Sequence, residues 1–498
     1  MTTDNDVQDA AELRDAMVRE LRDQGAIRSE AVAAAVAAVP RHVFTPGETL
    51  QTAYAPDHAP IVKAGPNGGR HLSVVSAAHL QATMLEAAEI EPGMRVIEYG
   101  SGGYNAALAA ELVGNRGHVT TVDIDPDIVA RARTFLDEAG YHHVNVMLGD
   151  AEQGVPGADP FDRVIGTAGF WDIPPAWLEQ LADDGRIVVP LRFKGTTRWI
   201  VFERYRSGLV SRAYGLCSFV PVQGAGSHTE RTITIDDGVV VCLDDESLSV
   251  DADALRRALH LPRIERWSGA VFDMPDEQML FLLTNDADMA LLYADQTIVD
   301  LELLTPSTLK GVPVLIRGDS FAYRAARPNA DMSSGYESGV YAHGPAAEDL
   351  AARYAELLRR WADKHYRRGA ASIRYIRSPP TRRSSPREWW RSGTGPSSSP
   401  GLKPPGSQGK SADLPWRAPG NPAHPNKGGT VMTTRAPGST ATLAPSEPER
   451  KDTDGWDADW LADLDVSIVE SGVAAEQLIR MTDDGCNSTC GTACVSCK

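Results

Sequence analysis

Residues 94–114, MRVIEYGSGGYNAALAAELVG, followed by VTTVDIDPD at 119–127, decide the fold. An apolar strand runs into a glycine-rich turn, then a helix, then a second strand that ends in an acid. This is the opening of a doubly wound α/β sheet, in which ligands gather at the carboxyl ends of the strands.

Working outward, the alternation continues. VIEYG and VTTVDI are strands one and two, VNVMLGD the third, DRVIGTAG the fourth and RIVVPL the fifth. Between them NAALAAELV, IVARARTFLDEAG and PAWLEQLADDG read as helices, so a parallel sheet with helices on both faces is predicted. Upstream, residues 13–39 carry apolar positions at helical spacing broken at Gly25, which predicts two helices. Residues 76–88 predict a third, with Ser76 as its N-cap. Downstream, residues 199–215 and 230–243 read as hairpins, and 280–304 as strand-like. Residues 346–367 predict an amphipathic helix with Leu350, Tyr354, Leu357, Leu358 and Trp361 on one face.

Composition sets limits. With 498 residues there is room for two or three domains. A net charge of −18 argues against nucleic acid as a partner. The acidic, polar N-terminus is wrong for a secretory signal, and no apolar run suffices to span a bilayer, so a cytoplasmic protein with no membrane partner is expected. Cys217 and Cys242 sit in apolar stretches and read as core or sheet residues. The other four cysteines crowd into the last 13 residues, an arrangement seldom used as a disulfide framework in the cytosol.

The turn Gly100-Ser101-Gly102-Gly103 lets the backbone approach a ligand where a side chain would clash. Asp123, at the end of strand two, is placed to bond a ribose hydroxyl pair, and Gly149-Asp150-Ala151 follows strand three. The dinucleotide fingerprint G-x-G-x-x-G is incomplete, because Asn105 stands at its third glycine, which disfavours NAD.

A longer constellation accompanies the turn: Pro40-Arg41-x-x-Phe44-x-Pro46, the segment 54–57, residues 76–86 before Pro92-Gly93, Gly102-Gly103-Tyr104-Asn105, Gly149-Asp150, Thr167-Ala168, and Ile173-Pro174 through Pro190. In order and over about residues 14–190 it resembles the protein-L-isoaspartate O-methyltransferases. The resemblance implies a Rossmann-like class I methyltransferase with S-adenosyl-L-methionine as cofactor and a peptide carboxylate as methyl acceptor. It also implies that Glu98, Gly100, Gly102, Asp123, Asp150 and Thr167 line the cofactor, with Ser101 and Ala151 beside them in the two turns, and that Ser76 sits at the acceptor carboxylate. Methyl transfer to a carboxylate requires alignment more than a strong base, and Ser76 could hold the anion through its hydroxyl and a helix N-terminal N–H. The sequence departs from the family in three ways: the turn is one residue shorter than G-x-G-x-G-Y, Ala78 replaces a proline, and the chain runs far beyond the usual length. A specialised relative is expected.

The end of the chain points to a substrate. In MTDDGCNSTCGTACVSCK, residues 481–498, hydroxyl residues interleave with thiols, as required where Ser or Thr dehydrates and a Cys thiolate adds to the alkene. With Leu464-Asp465 upstream, the segment resembles an FxLD-type lanthipeptide precursor, although Ala462 stands at the usual Phe. Methylating an Asp side chain makes it an electrophile for the next backbone nitrogen, closing a succinimide that opens largely to isoaspartate. Gly485 removes the Cβ that hinders this attack, so Asp484 is the expected acceptor ahead of Asp483. Four thiolates would also suffice for zinc, but the loops are tight and lack His, so no metal is expected.

The organisation expected is therefore a methyltransferase domain at 1–195, a mixed α/β accessory domain at 196–376, a disordered basic linker rich in Pro, Gly and Ser at 377–431, and a precursor-like segment at 432–498 with its leader at 432–481 and core at 482–498. The expected partners are a peptide substrate (this chain's own tail or a separate lanthipeptide precursor) and a lanthipeptide dehydratase and cyclase. The alternatives are a general isoaspartyl repair enzyme, and a peptide carrier whose cofactor site has decayed.

Overall fold

The computed structural model describes residues 4–376, apart from 66–70, 101, 207, 229, 244–247, 309–310 and 330–334. The expected linker, the precursor-like segment with Asp483 and Asp484, and Ser101 lie outside the described residues.

Helices α1 (Asp4–Asp23) and α2 (Glu30–Ala38) open the chain, followed by the short α3 (Leu50–Ala53) and a small hairpin of β1 (Ile61–Lys63) and β2 (Ser73–Val74). Ser29 caps α2 by accepting from the Val32 N–H at 3.2 Å. Its own N–H and hydroxyl are fixed on Glu86 of α4 (Ala78–Ala88) at 2.7 and 2.9 Å, so α2 is stapled to α4.

The predicted alternation then follows: β3 (Arg95–Tyr99), α5 (Tyr104–Val113), β4 (His118–Asp123), α6 (Pro126–Glu138), β5 (Asn145–Leu148), β6 (Phe161–Gly166), α7 (Pro175–Gln180) and β7 (Leu181–Phe193). Asp125 caps α6 ahead of Pro126, whose missing N–H costs nothing at a first helical position. In the first sheet β7, β6, β3, β4 and β5 lie side by side in that order and are mutually parallel. Near-continuous burial along β3 and β6 matches a sheet covered on both faces.

Three expectations are corrected here. The helix expected over 175–185 stops at Gln180, because Leu181 already pairs with Phe161 and the chain is drawn into β7. The boundary expected at residue 195 falls inside a sheet: β8 (Thr196–Tyr205) and β9 (Gly208–Leu216) extend β7 antiparallel, and β17 (Arg374–Tyr375) returns to pair with β9. The strand-like reading of 280–304 holds only for β13 (Met289–Ala294), which is flanked by helices. These are α9 (Pro275–Asn285), whose 280–283 segment is buried, and α10 (Gln296–Asp300). A run apolar on all sides does not distinguish a buried helix from a buried strand.

The second sheet is antiparallel, ordered β10-β11-β13-β14-β15-β16-β12. Its strands are β10 (Arg231–Asp236), β11 (Val239–Leu243), β12 (Ile264–Phe272), β13, β14 (Val312–Arg317), β15 (Ser320–Pro328) and β16 (Tyr336–His343). Helix α8 (Ala252–Leu259) joins the core on one face, and α9 and α11 (Ala347–Lys364) the core on the other. The five residues expected on the apolar face of α11 are all buried there. Cys242 is buried on β11, and Cys217 is half-buried just past β9. No helix among the described residues is long and apolar enough to cross a membrane.

A buried ion pair ties the second sheet to the first. Arg198 of β8 has no exposed surface; its Nη2 donates to Asp276 in the first turn of α9 and its Nη1 to Thr196 Oγ1 at 2.8 Å. Beside it the Tyr214 hydroxyl donates to Glu277 at 2.7 Å. Removing one member of such a pair strands a charge in a medium that cannot solvate it. Asp276→Ala is expected to destabilise the chain by about 3–5 kcal/mol, read from denaturant midpoints. A loss below about 1 kcal/mol would instead class the pair with solvated surface bridges.

Candidate functional site

A cleft opens at the carboxyl ends of β3, β4, β5 and β6. Its floor is the turn after β3, with Glu98, Tyr99, Gly100 and Gly102, and the end of β4 at Asp123. Gly149, Ala151, Thr167 and Ala168 also line it, and so do Ser76 and Gln81. Two segments cover it: residues 72–75 from the small hairpin, and 220–223 between β9 and β10.

The turn explains its glycines at two positions. Gly100 has φ +108°, and a Cβ there would collide with Thr167, whose hydroxyl donates to the carbonyls of Gly100 at 2.6 Å and Tyr99 at 3.1 Å. Gly103, at φ +85°, packs its Cα against the Phe44 ring, where a Cβ would come within 3.1 Å. A Cβ on Gly102 would meet nothing within 4 Å, so the turn fronts open space as a ligand cradle requires.

Glu98 is 1% exposed, and both its oxygens accept hydrogen bonds, from Asn105 at 2.8 Å and from Thr121 at 2.6 Å. Burial pushes its carboxyl up to about 7, opposed by those two donors and aided by the charge of Asp123. Asp123 Oδ1 accepts the Asp125 N–H at 2.9 Å, which shapes the turn into α6.

Ser76 borders the cleft but does not cap α4. The helix starts at Ala78 with Ala77 at its cap, and no side chain performs the capping. The reason is Arg41, which is wholly buried and whose Nη2 binds the Ser76 carbonyl at 2.8 Å, holding that residue in the segment before the helix. The same guanidinium donates to Ala53 O at 3.0 Å, Gln81 Oε1 at 2.9 Å and His58 O at 3.3 Å, and lies 4.8 Å from the Tyr104 ring centroid. The Ser76 hydroxyl makes no hydrogen bond among the described residues.

Asp150 is also placed differently from expectation. Its carboxylate accepts from the backbone N–H of Glu152 at 3.0 Å and of Ala225 at 2.8 Å, while its neighbours Gly149 and Ala151 border the cleft. Asp150 thus anchors the covering segment 220–223. That segment also exchanges backbone bonds with Gly169 and donates from Gln223 to the Leu72 carbonyl at 3.3 Å, joining the two covers. The cover, Gln81 and the Glu98 donor Asn105 were missed from sequence. The covering segment 220–223 comes from beyond the expected boundary at 195.

Residues 12–227 match the family described as Protein-L-isoaspartate(D-aspartate) O-methyltransferase (PCMT). A protein-L-isoaspartate O-methyltransferase of Methanopyrus kandleri is 37% identical over 220 residues, covering 44% of this chain and 94% of the relative. One of Hyperthermus butylicus is 38% identical over 223 residues, covering 43% and 89%. A solved structure titled protein-L-isoaspartate O-methyltransferase aligns with a TM-score of 0.39 at 22% identity, covering 69% of this chain and 92% of that one. The family assignment rests on the sequence relatives, which this chain spans almost end to end. With the parallel sheet and the glycine-floored cleft at its strand ends, they establish that the chain belongs to the protein-L-isoaspartate O-methyltransferase family, whose methyl donor is S-adenosylmethionine.

Proposed function

We propose that the cleft carries out methyl transfer to an Asp or isoaspartyl carboxylate of a peptide, with the acceptor at Ser76 and the donor along the floor. The observation that carries this reading is a cleft whose lining brings together two chemically different features. One is an acid- and glycine-lined turn facing open space, and the other an unengaged serine hydroxyl on a rigidly held segment. Glu98, Gly100, Ser101, Gly102, Asp123, Ala151 and Thr167 would hold the cofactor, with Asp150 acting through the cover it anchors. When bound, S-adenosylmethionine supplies an electrophilic methyl on a sulfonium.

An ionised carboxylate needs no base to accept that methyl: one oxygen forms the C–O bond as the C–S pair leaves with sulfur. The residues therefore contribute alignment and exclusion of water. Ser76 would orient the carboxylate by donating its hydroxyl proton as a hydrogen bond, and the covers at 72–75 and 220–223 would keep the site dry.

The acceptor, in this reading, is the lanthipeptide-like core at 482–498 of the same chain or of a separate precursor, with Asp484 methylated and then closed to a succinimide. The support is the sequence itself: Asp484-Gly485 beside four Cys interleaved with Ser and Thr, a pattern that ordinary repair does not need. The accessory sheet, the linker at 377–431 and the precursor-like segment at 432–498 are then the additions that specialise the enzyme.

Three outcomes are expected. With S-adenosylmethionine and co-expressed dehydratase and cyclase, mass spectrometry should show one methyl gained and then lost as methanol within the peptide 482–498. Methylation of an isoaspartyl test peptide with the tail untouched would establish general repair instead. Ser76→Ala should raise KM for the acceptor about tenfold with cofactor affinity unchanged.

The third concerns Glu98. Its carboxyl titrates higher in the fold than its ordinary 4.5, so the native state keeps a proton there that the unfolded chain has lost. The associated stability is complete below about pH 4.5 and disappears as pH rises through about 7. Glu98→Gln, always neutral, should flatten the fall in melting temperature across that window while weakening cofactor binding at pH 8. A variant that keeps the wild-type slope would place the titration elsewhere.

A further inference from the structure

We propose that Gln81 binds the acceptor: its amide N–H donates to the same carboxylate as the Ser76 hydroxyl, in a two-point seat whose geometry Arg41 sets. The inference rests on the reading that the acceptor enters beside Ser76.

Gln81 lies on α4, is 6% exposed and borders the cleft together with Ser76. Its amide oxygen faces Arg41 Nη1 at 2.9 Å. A guanidinium only donates, so the end of the amide it meets must be oxygen, and the nitrogen is turned the other way. Among the described residues Nε2 makes no hydrogen bond, yet it is not sealed off like the orphaned buried atoms elsewhere, such as those of His343. A donor in a nearly buried side chain, lining the same cleft as an unengaged hydroxyl and tied to the same Arg41, is suited to an anion with two oxygens.

Charge supports the same assignment. Among the described residues the hydrogen-bond acceptors of Arg41 are three backbone carbonyls and this one amide, and no acid pairs with it. A fully buried cation with only neutral partners lies directly behind Ser76 and Gln81 and favours a carboxylate in front of them. If the side chain served Arg41 alone, glutamate would serve better, because it would pair the buried charge. Glutamine provides an oxygen for Arg41 and a donor for the cleft at once.

Gln81→Glu separates the two roles. The variant keeps, and strengthens, the Arg41 contact but replaces the donor with a negative oxygen. In the full-length chain acting on an isoaspartyl peptide, KM for the peptide should rise about tenfold or more, with kcat changed less. Cofactor Kd by calorimetry should stay within about twofold, and the melting temperature should be equal or higher. An unchanged or lower peptide KM would overturn the proposal and leave Gln81 as a partner of Arg41 alone. Gln81→Met, followed by melting to confirm folding, should also raise KM but by less, since it removes the donor without adding a charge; a folded Gln81→Met with wild-type KM overturns the proposal equally. If the unmodified enzyme methylates neither the isoaspartyl peptide nor its own tail, the functional reading fails before any variant is compared.

Discussion

The buried guanidinium of Arg41 is the constraint on which the site depends. It gathers Ala53, His58, Ser76 and Gln81, from the two stretches 53–58 and 76–81, onto one planar cation. Lysine could not substitute, because a single ammonium offers no fork to span backbone carbonyls and a side-chain amide together. A chain this committed to satisfying one cation has little freedom to move Ser76, and rigid placement is what transfer to an already anionic oxygen requires. The stapling of α2 to α4 through Glu86 and Ser29 stiffens the same helix from its far end.

The second organising feature is the segment that leaves β9 for the accessory sheet. It covers the cleft on its way, held by the Asp150 carboxylate and by backbone bonds to Gly169, and it touches the other cover through Gln223 and Leu72. The walls of the cleft thus come from the parallel sheet, while part of its roof belongs to the connection between the two sheets. The accessory sheet and the site share a piece of chain, and the buried Arg198–Asp276 pair separately joins β8 to the first turn of α9.

Much of this was legible in the sequence wherever a local pattern dictated the outcome. The parallel strands, the helices between them and the amphipathic α11 followed from periodicity, and the glycine turn from its neighbours. Ser76 was expected at the acceptor and does border the cleft, although as part of the segment before the helix. What escaped depends on contacts distant in sequence. No local signal shows that Arg41 would seize the carbonyl of Ser76, 35 residues away, or that Asp150 would bond a backbone N–H 75 residues downstream. The strand-like reading of 280–285 failed because a helix buried on every side has no polar face to reveal its period.

The return of the chain at β17 has a consequence for how the enzyme can be divided. Residues 374 and 375 pair with β9 at the edge of the first sheet, the Ile373 and Ala371 N–H groups are fixed on Ser211 and Tyr214, and the Tyr375 hydroxyl reaches the Ile173 carbonyl. The segment matching the family ends at 227, so it does not contain the strand that finishes its own sheet. The accessory sheet is in effect an insertion closed at both ends. A fragment trimmed to the family's usual length would carry a bare β9 edge, open to pairing with other chains. Dissection of this protein therefore has to cut after β17.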